Sequence, residues 1–154
     1  MADTIRELIQ KNIDATLKGI KTTAQYNNDF VSVQRYMQKK NSFARMPMII
    51  HSAGDESVAS GPHPWNTLSL PVIIAIYFRY SEITDGRSVD EVINSYLGDV
   101  VKALMADTTR GGNAERTEVT SIPIFENDEK ESLTGVFIEI EITYYQQATN
   151  PYSR

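Results

Sequence analysis

The chain has 154 residues, a formal net charge of −5 and no cysteine. The length indicates one domain with an adequate core, and the lack of cysteine excludes a disulfide, a thiolate nucleophile and a sulfur-ligated metal. The acidic balance argues against nonspecific attraction to nucleic acid or an anionic membrane, without excluding a local basic patch.

The N-terminal segment MADTIRELIQKNIDATLKGI is charged and amphipathic, unlike a secretory signal peptide. The longest apolar run, LPVIIAIYF, is too short to cross a bilayer as a helix. We therefore expect a soluble, cytosolic chain.

Two amphipathic helices are predicted. Thr4 and Glu7 have capping-box spacing ahead of the first helix, which can end near Gly19, and Ser88 and Glu91 repeat that spacing ahead of the second. The apolar stripe of the first helix consists of Ile5, Leu8, Ile9, Ile13, Leu17 and Ile20. That of the second consists of Val89, Val92, Ile93, Tyr96, Leu97, Val100, Val101, Leu104 and Met105.

Strands are predicted between and after the helices, at VSVQRY, MPMIIHS, LSLPVIIAIYFRY and TEVTSIPIF. The third has apolar residues on both faces, which favours a central strand covered on both sides. Since Pro71 lacks a backbone donor, we expect it at the start of that strand or at a bulge.

The last strand lies in VFIEIEITYYQQATNPYSR and alternates regularly. Its inner face holds Ile138, Ile140, Ile142 and Tyr144, and its other face holds Glu139, Glu141, Thr143 and Tyr145. A period of two is typical of a strand with one face in the core.

These elements predict an α+β fold, a mostly antiparallel sheet of about four to five strands packed with two main helices. The last two strands should pair as a hairpin across the acidic connector ENDEKESLTG. We expect a single domain over residues 1–154, with a long loop at 51–67 and a short polar C-terminal tail at 146–154.

The long loop has a histidine at each end, and this raises the question of an active site. His51, Asp55 and His63 could ligate a metal, and Ser57 or Ser60 could join Asp55 and His63 in a triad. The spacing fits no metal motif, and no G-x-S-x-G elbow surrounds either serine. An ordinary polar loop is the favoured interpretation.

Two charged segments are candidate binding sites. TRGGNAER has paired glycines and two arginines but lacks the P-loop pattern, which favours a flexible loop with solvated charges. The cations Lys39, Lys40 and Arg45, with Tyr36 and Phe43 nearby, could touch nucleic acid or an acidic partner. Solvated charge is again the simpler interpretation.

The remaining candidates are Trp65 and the pair Glu139 and Glu141. The two carboxylates point the same way about 7 Å apart, and charge on an outer face also discourages unwanted strand pairing. Trp65 either anchors the long loop or contacts a partner. No catalytic constellation survives, so we predict a protein that is not an enzyme and has no cofactor or metal.

The order of elements resembles the tail terminator (tail completion) proteins of long-tailed bacteriophages. The resemblance rests on the opening helix TIRELIQKNIDATLKGI, the strand LPVIIAIYFRY before the helix SVDEVINSYLGDVVKALMAD, the hairpin TSIPIF with GVFIEIEITYY, and the closing YYQQATNPYSR. It covers nearly the whole chain.

The resemblance implies a structural virion protein, made in the host cytoplasm, that forms a ring, commonly hexameric, on the end of the tail tube. The ring would stop tube polymerisation and provide the surface for head–tail joining. Its partners would be copies of itself, the tail tube protein, a neck or head-completion protein and, in contractile tails, the sheath protein. Genome DNA would pass through without specific binding.

Under this interpretation the candidate interface or lumen residues are Trp65, Arg110, Arg116, Glu139, Glu141 and Tyr145. The alternative within the same class is a head-completion or neck connector protein. A small hydrolase using the histidine loop and a nucleic-acid-binding module using the basic segment are the alternatives from other classes.

Overall fold

Two helices lie on one face of a single β-sheet in the computed structural model of the chain. The structure describes residues 1–36, 45–79, 86–122, 126–128 and 133–154. The helices are α1 (Ile5–Lys18) and α2 (Val89–Met105), and a short 3-10 helix spans Thr22–Ala24. The strands are β1 (Ser32–Arg35), β2 (Met48–Ala53), β3 (Ser57–Ser60), β4 (Trp65–Arg79), β5 (Arg116–Ser121), β6 (Glu126–Asp128) and β7 (Leu133–Gln147).

The sheet order is β1-β2-β4-β7-β5, with β3 also paired to β4 and β6 also paired to β7. Every pairing is antiparallel except that of β1 with β2. The α+β class and the antiparallel pairing of β5 with β7 are therefore confirmed. The predicted connector ENDEKESLTG is partly strand, because it contains β6 and the first residues of β7. The described residues form seven strands in place of the predicted four to five, because β2 and β3 share one edge of β4, and β5 and β6 share one edge of β7.

The helix starts follow the sequence signals, with one difference. Ser88 and Glu91 form a complete capping box at α2. At α1 the Thr4 side chain accepts from the Glu7 N–H at 3.1 Å. The Glu7 carboxylate instead binds Arg35 of β1 through two hydrogen bonds of 2.7 and 2.8 Å. A tertiary ion pair has thus replaced half of the predicted capping box.

The core lies between the helices and the inner face of the long strands β4 and β7. Residues of this inner face are at most 4% exposed: Leu68, Leu70, Val72, Ile74, Ile76, Phe78, Val136, Ile138, Ile140, Ile142 and Tyr144. Each large buried side chain contributes about 1.5–3 kcal/mol of gross stabilisation, most of which chain entropy offsets.

The prediction that β4 is covered on both faces holds only in part. Its inner face packs on the helices, and on the opposite face Ala75 is 7% exposed whereas Ile73 is 41% exposed. The strand is central only in the plane of the sheet, between β2 and β7. The apolar residues of its second face are therefore not explained by the helical layer.

Pro71 was predicted at the start of the strand or at a bulge, and the strand start is wrong because Pro71 lies in the middle of β4. Its carbonyl accepts from the Gly54 N–H at 2.8 Å, so its ring nitrogen faces the same side, toward β2 and β3. On that side the pairing stops at Val72 with β2 and resumes at Ser69 with β3. The missing donor therefore falls at the interruption between two neighbouring strands.

The predicted loop at 51–67 is largely strand. It contains the end of β2, all of β3 and the start of β4. The turn between β2 and β3 is held by Glu56, whose carboxylate accepts from the Tyr144 hydroxyl and lies 3.4 Å from the Arg6 guanidinium. The polar tail likewise begins within β7, which ends at Gln147, and then folds back so that the Gln147 N–H donates to Ser153 O at 3.1 Å.

Candidate interaction surface

The sheet face that the helices leave uncovered is the most distinctive surface of the described residues. We call it the outer face. Along β4 it presents Thr67, Ser69, Pro71, Ile73, Ala75 and Tyr77. Along β7 it presents Phe137, Glu139, Glu141, Thr143 and Tyr145. The alternation of β7 predicted from the sequence places these residues opposite the buried isoleucines.

One end of the outer face is apolar. A groove of about 370 Å³ there is lined by Tyr36, Ile50, Ser52, Ile73, Ala75, Tyr77 and Phe137. The rings of Tyr77 and Phe137 meet edge to face, with centroids 6.2 Å apart. Of its apolar side chains, Tyr36 and Ile73 are 50% and 41% exposed, whereas Ile50 and Ala75 are buried.

The middle of the outer face is acidic. Glu139 and Glu141 line a groove of about 290 Å³ with Ile73, Pro71 and Thr120. Glu141 also stands directly opposite Glu118 of β5. Like charges in that position oppose each other, so this cluster does not serve the stability of the isolated sheet. It can serve solubility or meet a basic partner.

The other end of the outer face is aromatic. Trp65 of β4 and Tyr145 of β7 line a cleft of about 520 Å³ together with Pro62, Thr67 and Arg154. We call this the aromatic cleft. Trp65 is half-buried and Tyr145 is 37% exposed, so part of each side chain is accessible in the cleft.

Arg116 completes the predicted residues on this face. It is paired with Thr143 across β5 and β7, and its Nε lies 3.4 Å from the Glu118 carboxylate. Its exposed ion pair contributes little to stability. The structure therefore brings Trp65, Arg116, Glu139, Glu141 and Tyr145 onto one face, and their role there remains a prediction.

Arg110 is different, and its prediction as an exposed interface or lumen residue is wrong. Its side chain is fully buried, where Nε donates to Thr117 Oγ1 at 3.0 Å and a terminal nitrogen donates to Leu104 O. Burial lowers the pKa of Arg110. The residue joins the end of α2 to β5 and cannot reach a partner.

The loop around Arg110 is also more ordered than predicted. The Asp107 carboxylate accepts from the N–H groups of Thr109 at 3.0 Å and Gly111 at 2.6 Å. Gly111 and Gly112 have φ values of +70° and +84°, which favour glycine. The paired glycines serve a turn that places Arg110 inside.

The histidines do not form the site that their spacing suggested. His51 is 1% exposed and its Nε2 lies 3.0 Å from Asp14 Oδ1 on α1. Burial lowers the pKa of His51, and Asp14 opposes part of that shift. His63 lies in the exposed turn before β4. Among the described residues no group of three His, Asp or Glu side chains could hold a metal ion.

The structure describes only part of the basic segment. Lys39, Lys40 and Phe43 lie outside the described residues, while Arg45 is exposed. The described part of the chain also contains no helix with the length and apolar character to span a membrane.

Sequence reasoning missed the apolar end of the outer face. Its residues come from three separate strands, and Ile73, Ala75 and Tyr77 were assigned to a second buried face of β4. The number of predicted helices could have indicated this surface. Two helices form a single layer, and one layer covers only one face of a sheet.

Comparison with known proteins adds the following. No family model matches the chain, and no curated protein matches it. Among solved structures it is similar to a chain of the "Virion of native gene transfer agent (GTA) particle" at 10% sequence identity, covering 93% of this chain and 92% of that chain, with a TM-score of 0.36. A likeness at that level does not assign a function.

Proposed function

We propose that the chain is a structural virion protein, a tail terminator that forms a ring on the end of a phage tail tube. The ring stops tube growth and presents the surface for joining the head. Its partners are further copies of the chain, the tail tube protein and a neck or head-completion protein, with the sheath protein added in contractile tails. DNA passes through without specific binding.

The observation that carries this proposal is the outer face. It is a broad, preformed sheet surface with an apolar end at Ile73, Tyr77 and Phe137 and an acidic middle at Glu139 and Glu141. Two chemistries side by side can meet two different surfaces. That is the requirement of a subunit that contacts its neighbour and a tube at once.

Ring closure needs a heterologous interface, in which one surface of each copy meets a different surface of the next. The two sheet edges support such an arrangement because they are unlike. One edge is β1, which runs parallel to its neighbour, and the other is formed by β5 and β6, which run antiparallel to theirs. An irregularity between Val119 and Ser121 also interrupts the β5 edge.

The experiment that tests the proposal is a tube-capping assay. Tail tube protein of the same virus is allowed to polymerise with and without this chain, and tube lengths and ends are measured by electron microscopy. The proposal predicts shorter tubes with an added ring at one end. Unchanged tubes, or binding to capsid connectors in place of tube ends, would contradict it, and the second result would identify a neck connector.

A matched pair of variants focuses that assay on the outer face. Ile73→Glu adds a charge to the apolar end, at a side chain that is 41% exposed. The control Val58→Glu adds a charge outside the outer face, at a side chain that is 61% exposed. We expect Ile73→Glu to lose capping and Val58→Glu to keep it. Equal loss in both would show that added charge alone disturbs the assay.

A further inference from the structure

We propose that the free edge of β3 is a strand-addition site, which binds an extended segment of a partner protein through backbone hydrogen bonds. The β3 edge is the side of Ser57–Ser60 that faces away from β4. On the same side of β4, β1 lies beside β2, but among the described residues no strand lies beside β3. In strand addition a peptide pairs with such an edge. This proposal goes beyond the proposed function and does not depend on ring formation.

The first support is the direction of the backbone groups. Gly61 lies one position beyond the pair of Ser60 and Asn66 in the register of β3 and β4, and its N–H donates to Trp65 O at 3.2 Å. Hydrogen-bonded and non-hydrogen-bonded pairs alternate along an antiparallel ladder. Since Gly61 belongs to a hydrogen-bonded pair, Ser60 belongs to a non-hydrogen-bonded pair, and its N–H and C=O point away from β4.

The same alternation places Val58, which is paired with Leu68. The β3 edge thus presents the N–H and C=O groups of Val58 and Ser60, whereas those of Ser57 and Ala59 face β4. Within the described part of the chain, the groups of Val58 and Ser60 have no backbone partner on the far side. All four residues of β3 are exposed, so the edge is accessible.

The second support is the chemistry of this edge compared with the others. Edge strands usually carry charges, proline or a bulge, which discourage pairing with another chain. Of the edge strands that the structure describes, β1 ends in Arg35, β5 carries Arg116, Glu118 and a register shift, and β6 begins and ends with an acidic residue. The β3 sequence SVAS has none of these features. This edge therefore lacks the usual protection against an added strand.

The third support is that β3 is held in place at both ends. At the turn before it, the Glu56 carboxylate accepts from the Tyr144 hydroxyl and lies 3.4 Å from the Arg6 guanidinium. At the turn after it, the Gly61 N–H is bonded to Trp65 O. An edge fixed in this way is a preformed template, so less entropy is lost on binding.

The size of the edge favours an extended segment over a second copy of the chain. Stable interfaces between folded proteins bury about 1,200–2,000 Å², and an edge of four residues supplies only a small part of that area. A second copy would need matching surfaces around the edge, whereas an extended segment needs only its own backbone. Val58 is 61% exposed, so we expect an apolar residue of the segment to lie beside it.

The test follows backbone amide exchange in the full-length protein by NMR spectroscopy. The probe is a peptide of about eight residues that alternates valine and threonine between terminal lysines. Its matched control has the same sequence with N-methylated backbone amides, which cannot donate. We expect the probe to slow exchange at Val58 and Ser60 at least about tenfold. Ser57 and Ala59, already bonded to β4, should be protected with and without the probe.

Two substitutions of Val58 separate the backbone from the side chain, with binding read from the anisotropy of the labelled probe. Val58→Pro removes the outward N–H without removing a bond to β4, and Val58→Ala keeps that N–H. We expect Val58→Pro to weaken binding at least about fivefold and Val58→Ala to weaken it less. Circular dichroism of both variants checks that they are folded.

A second pair of variants allows the two proposals to fail separately. Val58→Glu should lose the probe and keep tube capping, whereas Ile73→Glu should keep the probe and lose capping. No slowing at Val58 and Ser60 up to about 1 mM probe, or equal slowing by the N-methylated peptide, would overturn the strand-addition site. Protection that rises with protein concentration in the absence of the probe would also overturn it, because a second copy would then occupy the edge.

Discussion

Several polar residues that the sequence suggests are surface or active-site residues are buried and join two elements through hydrogen bonds. The Asp99 carboxylate is 2% exposed and accepts from the backbone N–H groups of Asn27 and Asn28 at 2.9 and 2.8 Å. It also accepts from both amide side chains. It thus fixes the segment after α1 to α2. Neither this role nor the burial of Arg110 could be predicted, because both depend on loops that the tertiary fold brings to the helix.

His51 provides a prediction at this scale. Burial lowers its pKa in the folded state, so below its ordinary pKa of about 6.5 the unfolded chain binds the proton more readily. The contribution of His51 is therefore fully present above that pH and is lost as the pH falls. We expect the free energy of unfolding to decrease below pH 6.5 by up to about 1.4 kcal/mol per pH unit.

Urea unfolding at about pH 7.5 and about pH 5.5 checks this, because the carboxylates titrate mostly lower. The groups facing the ring are Asp14, Lys18 and Arg35. Hydrogen bonds from Lys18 and His51 outweigh burial and lower the pKa of Asp14. His51→Gln should flatten the dependence, and His63→Gln, at an exposed histidine, is the matched control. An equal slope in all three proteins would contradict the assignment.

At the scale of elements, sequence reasoning succeeded where periodicity is long. Both helices and the inner face of β7 follow their apolar spacing, except that Met105 at the end of α2 is 41% exposed. It failed at β3, because Ser57–Ser60 is short and exposed at all four residues and has no apolar alternation to reveal a strand. It also failed at Pro71, whose place depends on where two neighbouring strands stop.

Two glycines give opposite predictions within these elements. A Cβ on Gly61 would lie 2.8 Å from the Trp65 carbonyl oxygen, a contact that forces the turn before β4 to move. A Cβ on Gly98, within α2, would meet nothing within 4 Å. We expect Gly61→Ala to destabilise by about 1–3 kcal/mol and Gly98→Ala to stabilise by about 0.5–1 kcal/mol.

Both variants can be compared with the parent by urea unfolding monitored by circular dichroism. The opposite signs make each variant the control of the other, since the chemical change is the same. Stabilisation by Gly61→Ala would show that the turn does not require glycine. Destabilisation by Gly98→Ala would indicate that the exposed side of α2 packs against something in solution.

At the level of the whole fold, the two helices of the described residues pack on one face of the sheet and do not cover the other. The α+β class could be predicted from the order of elements, but the open face could not, since Ile73, Ala75 and Tyr77 read as core. The residues predicted for an interface fall on that face except Arg110. The proposed ring would cover this face.

Native mass spectrometry of the purified chain, alone and mixed with tail tubes, tests this account most directly. We expect a discrete ring of about six copies of the 17.3 kDa chain, formed either by the chain alone or on tube ends. We further expect that Ile73→Glu prevents the ring and Val58→Glu does not. A strict monomer that ignores tubes, or an unchanged ring in Ile73→Glu, would contradict it.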